Sequence, residues 1–125
     1  KPLMSAAQMH EWHAAGMEVG AHSRTHPRLT GCSDEELKRE LAGSKAELEA
    51  LIGAPVTQFC YPYGDYDARV ALATRQAGYD AATTTARGRA QPGDDLMQLK
   101  RVLVTGSNML HLFALKVLTG YEDGR

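Results

Sequence analysis

The sequence predicts an α/β fold in which parallel strands alternate with crossover helices. Helix-like and strand-like segments follow one another in the order helix, strand, helix, strand, helix, strand, loop, strand and helix. Such alternation is typical of a parallel sheet covered by helices. No internal repeat, low-complexity tract or linker divides residues 1–125, so we expect a single domain.

The composition is that of an ordinary globular protein. Hydrophobic residues make up 43% and charged residues 23%, and the net charge is -1. No block of like charge indicates nucleic acid as a partner. No apolar run approaches the roughly 20 residues that a membrane-spanning helix needs. Cys32 and Cys60 are too few for a disulfide framework, and we expect two free thiols.

The first predicted helix and strand lead to a histidine. Ser5 is a suitable N-cap, and we expect Met9 and Trp12 to lie on the buried stripe of the helix that follows. Residues 17–21 then predict a short strand that ends at His22.

The second predicted helix has the strongest local signals. Ser33 and Glu36 form a capping box at its start, while Gly53 and Pro55 end it. Its apolar stripe, at three- and four-residue spacing, consists of Leu37, Leu41, Ser44, Leu48 and Leu51.

Residues 56–61 predict a buried strand because they are apolar, β-branched and aromatic. The turn that follows, over 62–65, is indicated by its Pro and Gly. The remaining expected elements are a helix over 67–76, a strand over 79–84, a surface loop over 86–96, a strand over 102–104 and a helix over 109–118.

Two histidines four residues apart, His22 and His26, are candidate metal ligands. Pro27 disfavours the helical conformation at His26, so a bent loop must bring the two imidazoles together. Neutral imidazole suits zinc and similar ions, and catalytic zinc sites use three protein ligands with one open position. Two exposed loop histidines without a metal are the alternative, which the position at a strand end disfavours.

The other histidines have weaker claims to a site. His10 and His13 are three residues apart on the first helix, and their spacing differs from that of zinc proteases. We expect a structural role for both, and likewise for His111 in the last helix.

The turn after the buried strand is the second candidate site. Aromatic residues around a rigid Pro-Tyr-Gly turn can form the wall of a sugar-binding site, so Tyr61, Pro62 and Gly64 are candidate substrate-binding residues. A backbone N–H in this turn could also stabilise an oxyanion. Taken alone, the same residues also describe an ordinary turn at a strand end.

With these segments the chain resembles the polysaccharide deacetylases of carbohydrate esterase family four. The matching stretches are residues 16–29 and 59–66, with the capped helix and residues 53–56 between them and 76–79 after them. The resemblance implies part of a distorted (β/α) barrel with parallel strands. It also implies metal-dependent removal of acetyl groups from a polysaccharide, with a divalent ion, zinc above all, as cofactor.

By match to the family's H-(S/T)-x-x-H motif, His22 and His26 would be metal ligands. By match to its P-Y-G motif, the backbone N–H of Tyr63 would help to hold the oxyanion. The family's substrates suggest the cell envelope or secretion.

The chain departs from the family pattern in three places. The T-F-D-D-G motif, whose aspartates supply the catalytic base and the third metal ligand, does not occur here, and the first strands of the barrel are missing with it. Cys60 stands where many members have an Arg. Residues 109–111 do not match the late L-x-H motif, so no general acid is assigned.

We therefore expect a C-terminal piece of a longer deacetylase that is inactive alone. Exposed strand edges and apolar helix faces predict self-association, or pairing with the missing N-terminal segment. The alternative is a non-catalytic module that binds glycans or other partners on the same fold.

Overall fold

The computed structural model describes residues 3–106 and 108–120 as helices packed on one parallel sheet. The sheet has the order β1-β2-β3, and both of its strand pairs are parallel. This confirms the predicted α/β fold with parallel strands. The helices are α1 (Ala6–Ala14), α2 (Asp34–Lys38), α3 (Ser44–Ile52), α4 (Ala68–Gln76) and α5 (Leu110–Thr119), and the strands are β1 (Gln58–Cys60), β2 (Ala81–Arg87) and β3 (Leu99–Arg101).

The predicted capping box at the start of α2 is confirmed. Ser33 Oγ accepts a hydrogen bond from the Glu36 amide, and a Glu36 carboxylate oxygen accepts one from the Ser33 amide at 2.7 Å. The helix continues from α2 into α3 through a π-helical segment, Arg39–Gly43. It ends, as predicted, at Gly53, which has a left-handed backbone with φ of 69°.

A buried hydrogen-bond cluster holds the π-helical segment against the sheet. The carbonyl oxygen of Leu41 accepts hydrogen bonds from Ser44 Oγ at 3.0 Å and from the Tyr79 hydroxyl at 2.9 Å. A π turn disturbs the regular i to i−4 ladder, so a carbonyl within it benefits from donors outside the helix.

The hydrophobic core lies between the sheet and the long helix α2–α3 together with α4. Tyr61 anchors its centre, since its ring stacks on Tyr66 and its hydroxyl donates to the carbonyl of Met97 at 2.9 Å. Burial raises the pKa of Tyr61 to about 12. The apolar side chains of this core include Leu29, Leu37, Leu41, Val56, Phe59, Tyr61 and Val70.

Two predicted strands are wrong in extent or position. Residues 17–21 form only a single parallel bridge, from Ala21 to Phe59, because the chain meets the sheet edge at one residue before it turns into the next loop. The predicted strand over 102–104 is displaced to Leu99–Arg101. A 3₁₀ turn at Leu96–Gln98, capped by the Asp95 side chain, starts that strand earlier than its apolar residues suggest.

Trp12 is a further correction, because its side chain is 46% exposed rather than buried. The indole N–H donates to the carbonyl of Glu18 at 3.3 Å, which directs the ring along the surface. Met9, the other member of the predicted stripe, does pack against the core.

The other expected elements are present with shifted ends. Helices α1, α4 and α5 lie within one or two residues of their predicted bounds, and β2 runs to Arg87 rather than ending at Thr84. Cys32 and Cys60 are free thiols, as predicted. None of the helices in the described part of the chain has the length and apolarity that crossing a membrane requires.

Tyr79→Phe tests the hydrogen-bond cluster at the π-helical segment. Removing the hydroxyl that donates to Leu41 should lower the free energy of unfolding by about 1 kcal/mol, measured by urea denaturation. Tyr66→Phe is the matched control, because its hydroxyl makes a longer, exposed bond to Gln98 at 3.3 Å. Equal losses in the two variants would contradict the role given to the buried cluster.

Candidate functional site

His22 is fixed at the carboxyl end of the sheet by its own backbone pairing. The Ala21 amide donates to the carbonyl of Gln58, and the Cys60 amide donates to the carbonyl of Ala21, both at 2.9 Å. His22 follows at once, and its Nδ1 lies 2.7 Å from the carbonyl oxygen of Cys60. Because a carbonyl can only accept, Nδ1 carries the proton, and Nε2 of the neutral ring is left with a free lone pair.

The second imidazole meets the first at that lone pair. His26 Nε2 lies 3.0 Å from His22 Nε2, and the rings are inclined at 68°. Two nitrogens that each lie about 2.0–2.1 Å from a zinc ion are separated by about 2.8–3.4 Å, for angles at the metal from 90° to tetrahedral. The spacing of His22 and His26 therefore fits two ligands of one metal ion.

The loop that joins the two histidines, residues 23–26, is called the histidine loop. Two of its residues have backbone angles in the left-handed region, and they bend the chain. Ser23 has φ of 64° and His26 has φ of 60°. The His26 amide donates to Ser23 Oγ at 3.0 Å, which closes the turn between them. Such a backbone is costly for residues with a side chain, so contacts from outside the loop must stabilise it.

The main contact to this loop comes from the carboxylate of Glu40, in the π-helical segment. Its Oε2 accepts from the amides of Arg24 and Thr25 at 2.9 and 2.8 Å, and its Oε1 accepts from Thr25 Oγ1 at 2.6 Å. Burial by itself would raise the pKa of Glu40. The hydrogen bonds from Thr25 and Arg24 outweigh that effect and hold the pKa below its ordinary value.

The turn after β1, Pro62–Gly64, which we call the Tyr63 turn, lies beside the histidine pair. Tyr63 has φ of 59°, and its half-exposed ring lies edge-on to the His26 ring at 4.6 Å, with the guanidinium of Arg28 over it at 4.9 Å. The next two amides, of Gly64 and Asp65, donate to carbonyls within the turn. Among the described residues the Tyr63 amide has no such acceptor and is available as a donor.

Asp65 joins this turn to the segment after His26. One of its carboxylate oxygens accepts from the Thr30 amide at 3.0 Å and from the Thr30 hydroxyl at 2.9 Å. The Thr30 amide, with the Thr30 hydroxyl and the charge of Arg28, holds the pKa of Asp65 below its usual value against the effect of partial burial. The histidine loop and the Tyr63 turn are thus held together by direct contacts.

The three candidate substrate-binding residues lie beneath and beside Tyr63. The side chains of Tyr61 and Pro62 are buried, while Gly64 is partly exposed with φ of 67°. A Cβ at Gly64 would come within 2.2 Å of Thr85 Oγ1, so the turn packs closely on β2. Their role in substrate binding stays a prediction, and for Tyr61 and Pro62 burial restricts it to shaping the turn.

The remaining histidines lie apart from this site. His10 and His13 are on α1 and His111 is on α5. Within residues 3–106 and 108–120, no group of three or more His, Cys, Asp or Glu side chains is arranged to hold a metal ion. The described part of the chain thus brings two imidazoles together, with no third candidate metal-binding side chain beside them.

Glu40, Asp65, Thr30 and Arg28 are the residues of the site that the sequence analysis missed. One signal for Glu40 was available, because it stands three residues after Leu37 and falls on the predicted buried stripe. A carboxylate at such a position needs hydrogen-bond donors from elsewhere in the fold. The contact between Asp65 and Thr30 spans 35 residues, and no local pattern indicates it.

Comparison with known proteins gives the same family from sequence and from structure. A family model described as polysaccharide deacetylase matches residues 4–82. A relative from Bacillus subtilis (strain 168) is named as a putative polysaccharide deacetylase, YxkH. It is 28% identical to this chain over 105 residues, which cover 84% of this chain and 38% of YxkH.

Solved structures of deacetylases superpose on most of the chain. A polysaccharide deacetylase from Bacillus cereus matches with a TM-score of 0.80 and 31% identity, over 90% of this chain and 36% of that one. The deacetylase PplD of Streptococcus pyogenes, solved in complex with acetate, matches in fold with a TM-score of 0.83 and 24% identity, over 88% of this chain and 49% of that one.

The chain belongs to the polysaccharide deacetylase family, since the family model matches more than half of it. Its three-stranded parallel sheet with flanking helices corresponds to part of the family's barrel, as the sequence predicted. The chain spans 38% of YxkH and 36% of the Bacillus cereus structure.

Gly64→Ala tests the close packing of the Tyr63 turn on β2. Left-handed backbone strain and the contact with Thr85 should together lower the free energy of unfolding by about 2–4 kcal/mol, measured by chemical denaturation. Gly53→Ala is the matched control, with φ of 69° but nothing within 4 Å of the point that a Cβ would occupy. It should lose only about 1 kcal/mol.

Thr85→Ala should recover part of the loss in Gly64→Ala, because it removes the two nearest atoms, Oγ1 and Cγ2. If Gly64→Ala proves no more destabilising than Gly53→Ala, the turn does not depend on this contact.

Proposed function

We propose that this chain is the histidine-bearing part of a metal-dependent polysaccharide deacetylase. The reaction is hydrolysis of acetyl groups, chiefly N-acetyl groups, on a glycan. The observation that carries the proposal is the 3.0 Å approach of His22 Nε2 to His26 Nε2 beside the Tyr63 turn. Membership of the polysaccharide deacetylase family supports the same chemistry.

The residues that would hold the metal are His22 and His26, and zinc is the ion that we propose. A bound divalent ion would act as a Lewis acid towards the acetyl carbonyl and lower the pKa of a water molecule. The bond from His22 Nδ1 to the Cys60 carbonyl fixes the tautomer that presents Nε2 as a ligand. For His26 to act in the same way, its proton must reside on Nδ1, so that its Nε2 is also unprotonated.

The part assigned to Tyr63 is donation of its amide N–H to the developing oxyanion. A backbone donor held in a rigid turn needs no reorganisation when negative charge appears, which is the condition for stabilising a tetrahedral intermediate. The packing of Gly64 on Thr85 holds the turn in place against the strain of the left-handed conformation at Tyr63. The half-exposed ring of Tyr63 would form one wall of the glycan site, and the buried Tyr61 and Pro62 would shape the turn that carries it.

Completion of this site requires groups that the described residues do not bring together. We propose that an aspartate-bearing segment supplies the third metal ligand and the general base, as the family resemblance implies. The exposed apolar side chains of α5, such as Leu110 and Leu118, support pairing with such a segment or self-association. We also propose, from the substrate class that the family resemblance implies, that the activity belongs to the cell envelope or to the outside of the cell.

His22→Ala and His26→Ala should each abolish specific binding of Zn²⁺ to the tag-free chain, because a single imidazole retains little affinity. Isothermal titration with Zn²⁺ measures the effect. His10→Ala is the control, since His10 is exposed on α1 and outside the site. Unchanged zinc binding in His22→Ala would contradict the metal role and favour a non-catalytic glycan-binding or interaction module.

The 125-residue chain alone should release no acetate from an acetylated chito-oligosaccharide. Activity should appear when the aspartate-bearing N-terminal part of a family member is fused ahead of it, and His22→Ala in the fusion should remove that activity. Acetate release by an enzyme-coupled assay is the measurement. Robust release by the chain alone would overturn the proposal that its site is incomplete.

A further inference from the structure

The carboxylate of Glu40 lies against the loop between the two histidines but touches neither of them. Its side chain is buried, with 9% of the residue exposed, and both of its oxygens accept hydrogen bonds from the loop that separates His22 from His26. We propose that Glu40 is the positioning residue of the histidine pair, holding the strained loop in the conformation that lets the two imidazoles converge.

Apart from Glu40, an exposed ion pair from Arg24 to Glu47 reaches the centre of the loop from the long helix. The Ser23–His26 hydrogen bond closes the turn from within, whereas Glu40 reaches it from another element and binds Arg24 and Thr25, the two residues between them. Hydrogen bonds to an ionised carboxylate are about twice as strong as neutral ones. Glu40 thereby opposes the cost of the left-handed backbone at Ser23 and His26.

The dependence is mutual, because Glu40 has few other partners for its charge. The charge of Arg24 acts on Glu40, but its guanidinium forms an ion pair with Glu47 at 2.7 Å. A buried carboxylate that loses its hydrogen-bond donors incurs a large desolvation cost. If the loop left this conformation, the Glu40 carboxylate would either become exposed or stay buried without hydrogen-bond donors. The carboxylate therefore favours this one conformation of the loop.

The π-helical segment aims Glu40 at the loop. Glu40 is the second residue of Arg39–Gly43, and its neighbour Leu41 is buried in the core. A π turn widens the helix locally and changes the direction of the side chains within it, and such turns are frequent at functional sites. Tyr79 and Ser44 hold this turn from the opposite side through the Leu41 carbonyl.

The inference rests on the proposed metal role of His22 and His26, but it has a readout that needs no metal. Glu40→Ala should increase amide hydrogen exchange at Arg24 and Thr25 at least about tenfold, measured by NMR on the metal-free chain. The amides of β1 should be unchanged. The same variant should weaken Zn²⁺ binding about 10–100-fold, measured by isothermal titration.

Glu40→Gln should change both measurements in the same direction as Glu40→Ala but less. The amide oxygen can take the place of Oε2 as acceptor for Arg24 and Thr25, and the Thr25 hydroxyl can rotate to accept from the new NH₂ group, but these bonds lack the charge of the carboxylate. Glu47→Ala is the matched control. It lies on the same long helix and contacts the same loop residue, Arg24, but through an ion pair whose side chains are 50% and 57% exposed.

Thr25→Val provides a milder test of the same contact in case Glu40→Ala does not fold. It removes only the bond from Thr25 Oγ1 to Glu40 Oε1 and should give a smaller effect in the same direction on both measurements.

Unchanged exchange at Arg24 and Thr25 in Glu40→Ala would overturn the inference, as would a loss of zinc affinity no larger than that of Glu47→Ala. If Glu40→Ala does not fold, unchanged exchange and affinity in Thr25→Val overturn it instead. Zinc binding that is insensitive to His22→Ala would refute the metal role alone, and the exchange measurement would still decide the role of Glu40.

Discussion

The hydrogen bond from His22 Nδ1 to the carbonyl of Cys60, at 2.7 Å, is the contact on which the candidate site depends. It joins His22, which follows the single bridge at Ala21, to the end of β1, 38 residues further along the sequence, and it forms because Ala21 pairs with the edge of β1. The bond orients the ring, selects its tautomer and directs Nε2 towards His26. Cys60 also leads directly into the Tyr63 turn, so one carbonyl fixes the geometry between the histidine loop and that turn.

Backbone strain in this molecule is concentrated where those two segments meet. Within residues 3–106 and 108–120, the non-glycine residues with positive φ are Ser23, His26 and Tyr63. Each such residue costs on the order of 1–3 kcal/mol and persists only where its surroundings fix it. Glu40 fixes the first two from the helix side, while the close packing of Gly64 on β2 fixes the third. The rigidity of the site is therefore supplied by neighbouring elements and not by the loops themselves.

The sequence predicted the parts of this structure that depend on local signals. The capping box at Ser33, the stop at Gly53 and the turn at residues 62–64 depend on residues close together in the chain, and all three are present. The strand over 17–21 failed, because a single bridge at a sheet edge leaves no periodic pattern to recognise. Contacts between distant elements account for what else was missed, since the polar contacts of Glu40 and Asp65 reach loops 15 and 35 residues away. The position of Glu40 on the predicted apolar stripe indicates burial, but only the fold shows which donors its carboxylate has there.

The contacts of the histidine loop explain how part of a barrel can hold the two histidines in a defined geometry. The bonds that hold the histidine loop run to β1, to the π-helical segment and to Asp65, all within the described chain. Under the proposed function, the entropy of ordering both imidazoles is therefore lost during folding of this part and not during metal binding. A segment that completes the site then needs to supply carboxylates at one open side, without remodelling the two ligands already in place.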